Sequence, residues 1–246
     1  MHSWLKLTWV ETKLFLREPG AYFALVFPLA FLFIFGSIYG NKPSAFLGGH
    51  GSLDFYTPAY IAILIIAIGF YSLPFAIINY RERGILFRLQ TTPLHPLTIL
   101  SAQFGANFLM TTAGAIILVV AGKLFYNVHI TSSMPNVLLA YVLSVLSIFA
   151  LGFLMASIVP NVRVAPIVGT LLFLSMFYLS GATVPLKLYP PVVQQIAWFL
   201  PLTHAIKLMQ DMWFGGAWVD HWVNVLALLG LLLVCMLLSV KLFRWR

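Results

Sequence analysis

Six histidines, His2, His50, His95, His129, His204 and His221, are the side chains best suited to hold a metal or relay a proton, yet they are scattered along the chain. No H-E-x-x-H pair and no G-x-S-x-G elbow occurs, and Gly122-Lys123 lacks the glycine five residues earlier that a phosphate loop needs. Neither a metal centre, nor hydrolase chemistry, nor ATP binding through such a loop is expected. The single cysteine, Cys235, lies in an apolar run, which excludes a disulfide framework within one chain. One segment concentrates charge instead: Arg81-Glu82-Arg83-Gly84, then ILFRLQ, then Thr92-Pro93 and Pro96. A loop needing only positive charge would not need that apolar stretch. A short helix there, with Ile85, Leu86 and Leu89 on one side, could dock into another protein's groove.

The elements that carry these residues are set by composition. Of 246 residues, 61% are apolar and 8% charged, against about 25% charged in soluble domains. The class is an all-α polytopic membrane protein forming one domain. Six runs reach the roughly 20 residues that cross a ~30 Å hydrocarbon core: 21–40, 57–79, 103–122, 137–159, 164–184 and 222–242. Alternation of these spans puts ten of the fourteen Lys and Arg on one side, all but Lys42, Lys123, Lys187 and Lys207. Both termini are therefore expected in the cytoplasm of a multi-pass protein of the cell (plasma or inner) membrane. The net charge of +8 is a sidedness signal, so nucleic acid is not an expected partner. None of the six spans carries a charge near its centre, which argues against proton- or sodium-coupled transport.

Residues 3–18 read as an interfacial amphipathic helix capped by Ser3 and resting on membrane lipids. Lys6, Lys13 and Arg17 share a stripe beside an apolar arc of Trp4, Leu7, Val10, Leu14 and Phe15. Glu11 falls inside that arc and is expected either to reach water or to meet Arg81 or Arg83. Residues 185–221 are apolar but cut by Pro185, Pro190, Pro191 and Pro201. They read as a re-entrant two-helix hairpin, with Thr203 as a cap and Trp198, Trp213, Trp218 and Trp222 in an interfacial belt. Gln103 and Asn107, four apart, share a helix face and are expected to bond a neighbouring helix. Pro28, Pro58 and Pro74 are expected to kink the first two spans.

Four features together resemble a known family: ETKLFLREPGAYFALVFPLAFLFIFG, YRERGILFRLQTTPLHPLTIL, SGATVPLKLYPPVVQQIAWFLPLTHAIKLMQDMWFGG, and six spans with both ends inside. The chain is similar to permease subunits of ABC exporters of the second type (ABC-2), over essentially its whole length. The resemblance implies a separate ATP-binding subunit holding ATP and Mg²⁺, a second copy of the chain or a similar permease, and no cofactor on this chain. Residues 81–93 then look like a coupling helix, with Arg81, Glu82, Arg83, Gly84, Leu86, Arg88, Leu89 and Pro93, and Asn161 and Arg163 form a second contact. A substrate path would run past Phe70, Tyr71, Phe173, Phe177 and Tyr178, under an outer gate at Pro201 and His204. Asn79, Ile85 and Phe87 stand where the family often has acids, so docking is expected to be more apolar than usual. The implied substrate is a drug, antibiotic or lipid-like molecule; lipid-linked polysaccharide or teichoic-acid precursors, and a non-transporting scaffold or immunity protein, are the alternatives.

Overall fold

The computed structural model describes residues 2–17, 19–44, 47, 49–85 and 96–242. Among them the main elements are all helical: α1 His2–Phe15, α2 Pro19–Tyr39, α3 Ser52–Ala67, a π turn Ile68–Ser72, α4 Leu73–Glu82, α5 Pro96–Tyr126, α6 Met134–Ile158, α7 Ala165–Leu179, α8 Pro191–Trp198, α9 Pro201–Trp213 and α10 Trp222–Leu242. Prolines occupy the first turns of α2, α5, α6, α7, α8 and α9. Their missing N–H costs nothing there, because first-turn amides have no intrahelical acceptor. α1 begins before Ser3, so Ser3 is not its cap. Thr203 likewise sits inside α9, whose cap position is Leu200.

Among the described residues five stretches are long and apolar enough to cross a membrane: α2, the continuous α3–π–α4 rod, α5, α6 and Trp218–Leu242. The run expected at 164–184 yields α7, only 15 residues, or about 22 Å. It stops because Gly181 turns the backbone left-handed at φ +88°, a conformation glycine adopts without a Cβ penalty.

The rod at Ser52–Glu82 is the centre of the bundle. Buried residues make up 89% of its most apolar window, against 22% in α2 and 17% in the last helix. α2, α5, α6, α7 and α9 surround it, α10 packs along α6, and α1 lies against α5. A rod apolar on every side can be buried on every side. Meanwhile α2, α5 and α10 expose apolar residues such as Val26, Ile116 and Leu233, a surface suited to lipid.

The π turn has a local cause. Pro74 has no N–H to donate and its ring crowds the carbonyl four residues back. The chain responds with one wide turn, in which the Leu73 N–H reaches Ile68 O. The carbonyls of this turn face glycines. A Cβ at Gly169 of α7 would lie 2.8 Å from Phe70 O, and one at Gly152 of α6 would run into Gly69 O.

Candidate functional site

The last turn of the central rod carries Arg81 and Glu82. Arg81 donates to the carbonyls of Ala156, at 3.1 Å, of Val159, and of Pro160, at 3.1 Å. These lie at and just beyond the C-terminus of α6, where carbonyls lack intrahelical donors, and the guanidinium fork can satisfy several at once. Glu82 accepts the Val162 N–H through Oε1 at 2.8 Å. Asn161 in turn accepts the Val164 N–H at 2.9 Å, setting up the start of α7. The loop Pro160–Arg163 is thus bolted to the end of the rod, while the Arg163 side chain stays exposed. Just beyond, Arg83 Nε donates to Asn79 Oδ1 at 2.9 Å, and Gly84, at φ +66°, ends the helix. Arg81 and Glu82 therefore belong to the rod and not to the segment after it. Leu86, Arg88, Leu89 and Pro93 lie outside the described residues.

Glu11 is buried, at 7% exposure, and among the described residues it hydrogen-bonds neither Arg81 nor Arg83. Tyr80 Oη donates to its two oxygens at 2.8 Å, and Gln103 Nε2 to Oε2 at 2.6 Å. Thr8, Glu11 and Phe15 are buried while Trp9, Val10 and Leu14 are exposed. The expected apolar arc splits here: Phe15 turns inward with the acid, while Val10 and Leu14 face out beside the exposed Lys6, Lys13 and Arg17. Burial pushes the Glu11 carboxyl above its ordinary range, the Tyr80 hydroxyl partly opposing this.

Along the other side of the rod runs an aromatic ladder. Phe23, Phe27, Phe31, Phe35 and Tyr39 recur every four residues on α2, with successive ring centroids 4.8–6.0 Å apart. Phe27 meets Phe173 and Phe177 of α7 at 5.8 and 5.4 Å, Phe31 meets Phe177 at 5.5 Å, and Tyr71 meets Phe173 at 5.6 Å. Most contacts between α2 and α7 are edge-to-face, the arrangement ring quadrupoles favour. Tyr71 also hydrogen-bonds Thr170 Oγ1 at 3.2 Å. The ladder ends beside a cavity of about 530 Å³ lined by Phe31, Phe35, Tyr39, Tyr56, Tyr60 and Leu188 among others.

The opposite end of the rod is closed by polar contacts. Asn41 donates to Asp54 Oδ1 at 2.9 Å and Asn127 O at 3.1 Å, and accepts the Leu53 and Asp54 N–H groups at 3.1 Å. Asp54 also accepts the His129 N–H at 2.9 Å. Pro201 opens α9, and the buried His204 bonds Trp198 O at 2.7 Å and Asn224 Oδ1 at 2.9 Å, tying α8, α9 and α10 together. Trp213 is no belt residue: it is 1% exposed and donates to His129 O at 3.0 Å. Among the described residues no group of three His, Cys, Asp or Glu is placed to hold a metal.

A family model described as ABC-2 type transporter matches residues 2–214. The chain belongs to the ABC-2 type transporter family. It is a transmembrane permease subunit of an ABC transporter, lacks an ATPase motif of its own, and belongs with an ATP-binding partner. No curated protein matches the chain. In this ABC-2 permease, three of the five path residues named from sequence, Tyr71, Phe173 and Phe177, share one aromatic cluster. Phe70 points elsewhere, fully buried in the π turn. Tyr178 is 58% exposed and touches the cluster only through Phe177, at 5.0 Å. The α2 rungs were missed, although their four-residue spacing is plain in YFALVFPLAFLFIFGSIY. In a uniformly apolar span an aromatic stripe does not stand out by hydropathy.

Proposed function

We propose that this permease exports a hydrophobic or amphiphilic substrate from the cell, using ATP and Mg²⁺ held by its ATP-binding partner. In this reading the chain makes six spans in the cell membrane with both termini in the cytoplasm, the short α7 forming the core of the fifth. Two such permeases, identical or similar, pair, and the partner docks on residues 81–93 and on Asn161 and Arg163. The observation that carries the reading is the joint at Arg81 and Glu82. It ties the loop before α7 rigidly to the central rod, so a push on either segment moves α6, α7 and the rod together. That motion shifts α7 against α2, which slides the aromatic ladder. The ladder offers a greasy, polarisable track suited to drugs, antibiotics or lipid-like molecules. The hairpin around Pro201 and His204 closes the outer end as a gate.

Reconstitution of the permease with its ATP-binding subunit in lipid vesicles tests this. A stable complex with ATPase activity stimulated by a hydrophobic dye, and dye export lost in Phe27→Ala, is the expected result. Absence of a complex and of stimulation overturns the reading. Stimulation by a lipid-linked saccharide alone transfers it to polysaccharide precursors.

A further inference from the structure

Glu11, Gln103 and Asn107 line a cavity of about 500 Å³ between α1, α4 and α5, at the end of the bundle that carries Arg83. Its polar groups are mismatched. Among the described residues Glu11 is met by neutral donors, the Tyr80 hydroxyl and the Gln103 amide. Asn107, 1% exposed, has its amide orientation fixed by donating to the Gln103 carbonyl at 2.9 Å, which leaves Oδ1 buried without a donor. A buried carboxylate and an orphaned amide oxygen lining one cavity call for a hydrogen-bonding cation. The rim has the opposite character: the exposed Arg17 and Arg83 line the same cavity, Arg83 steadied by Asn79. Leu7, Leu14, Ile85 and Ile99 add apolar lining, and the outward side of α1 exposes Trp9 and Val10 beside Lys6 and Lys13.

We propose that this cavity binds the head group of an aminophospholipid, its primary ammonium donating to Glu11 and Asn107 Oδ1 and its phosphate held between Arg17 and Arg83. Charge of both signs, ordered from the cavity interior to its rim, fits a zwitterion with a buried amine. A quaternary ammonium has no N–H to give, so phosphatidylcholine satisfies neither buried acceptor. Burial holds the Glu11 carboxyl towards its protonated form; an ammonium beside it favours the charged form. The site is separate from the aromatic ladder and does not depend on the exporter reading, because binding is measured on the permease alone.

The test is native mass spectrometry of the full chain released from nanodiscs of phosphatidylglycerol doped with either phosphatidylethanolamine or phosphatidylcholine. Retention of phosphatidylethanolamine over phosphatidylcholine, reduced about tenfold or more in Glu11→Gln, is the expected result. Equal retention of the two lipids, or undiminished retention in Glu11→Gln, overturns the proposal. Should Glu11→Gln fail to fold, Asn107→Leu and Arg83→Gln are read the same way: undiminished retention in both overturns it. Soluble phosphoethanolamine is added as competitor; displacement of the lipid supports recognition through the head group, and no displacement at millimolar excess counts against it.

Discussion

Glu82 and Val162, eighty residues apart, are joined by a 2.8 Å hydrogen bond from the Val162 amide to the Glu82 carboxylate. With the three carbonyls that Arg81 holds, this bond makes one mechanical unit of the rod's last turn and the loop before α7. Hydrogen bonds involving a charged partner are the stronger kind, and both charges here bond backbone, which cannot rotate away.

Arg81→Ala strands carbonyls at the end of α6 and is expected to cost about 1–3 kcal/mol. Arg81→Lys recovers only part, since a single ammonium cannot reproduce the planar fork. Thermal melting of the detergent-solubilised protein reads both; an unchanged midpoint in Arg81→Ala shows the contacts carry no stability.

Gly84→Asp, or Leu86→Asp with Leu89→Asp, is expected to leave membrane insertion intact while separating ATP hydrolysis from transport. For Gly84 the added cost is a left-handed backbone that a side-chain-bearing residue adopts reluctantly. The measurement is paired ATPase and transport assays in vesicles, and transport at the wild-type level removes the segment from coupling.

Gly152→Ala and Gly169→Ala each push a methyl group onto the carbonyls of the π turn. Overpacking of this kind is expected to cost about 1–3 kcal/mol. Gly230→Ala is the control, because a Cβ there meets nothing within 4 Å. Equal melting of all three variants would show that the rod yields easily at its wide turn.

Glu11 makes stability depend on pH with a definite sign. Its folded-state pKa is raised by burial, so its contribution is fully present below the unfolded value and is lost as pH rises through the folded one. The melting midpoint should fall as pH climbs above about 4.5, and Glu11→Gln should flatten that part of the profile. A profile unaltered by Glu11→Gln places the pH dependence elsewhere.

The sequence by itself determined the class. Low charge and long apolar runs required membrane helices, and of the two amides expected to bond a neighbouring helix Gln103 does so through Glu11, whereas Asn107 bonds Gln103 of its own helix. Where the fifth apolar run ends was misjudged, since hydropathy continues through Ser180 and Gly181 while the backbone turns. Tertiary structure alone decided the rest. Glu11 found Tyr80 and Gln103, Arg81 turned to the carbonyls after α6, Trp213 went inside, and the α2 stripe found Phe173 and Phe177. The physical reason is common to all four. Helical periodicity states which side chains share a face, but in a chain apolar nearly all round it does not state which face meets protein, and the partners lie 69 to 150 residues away.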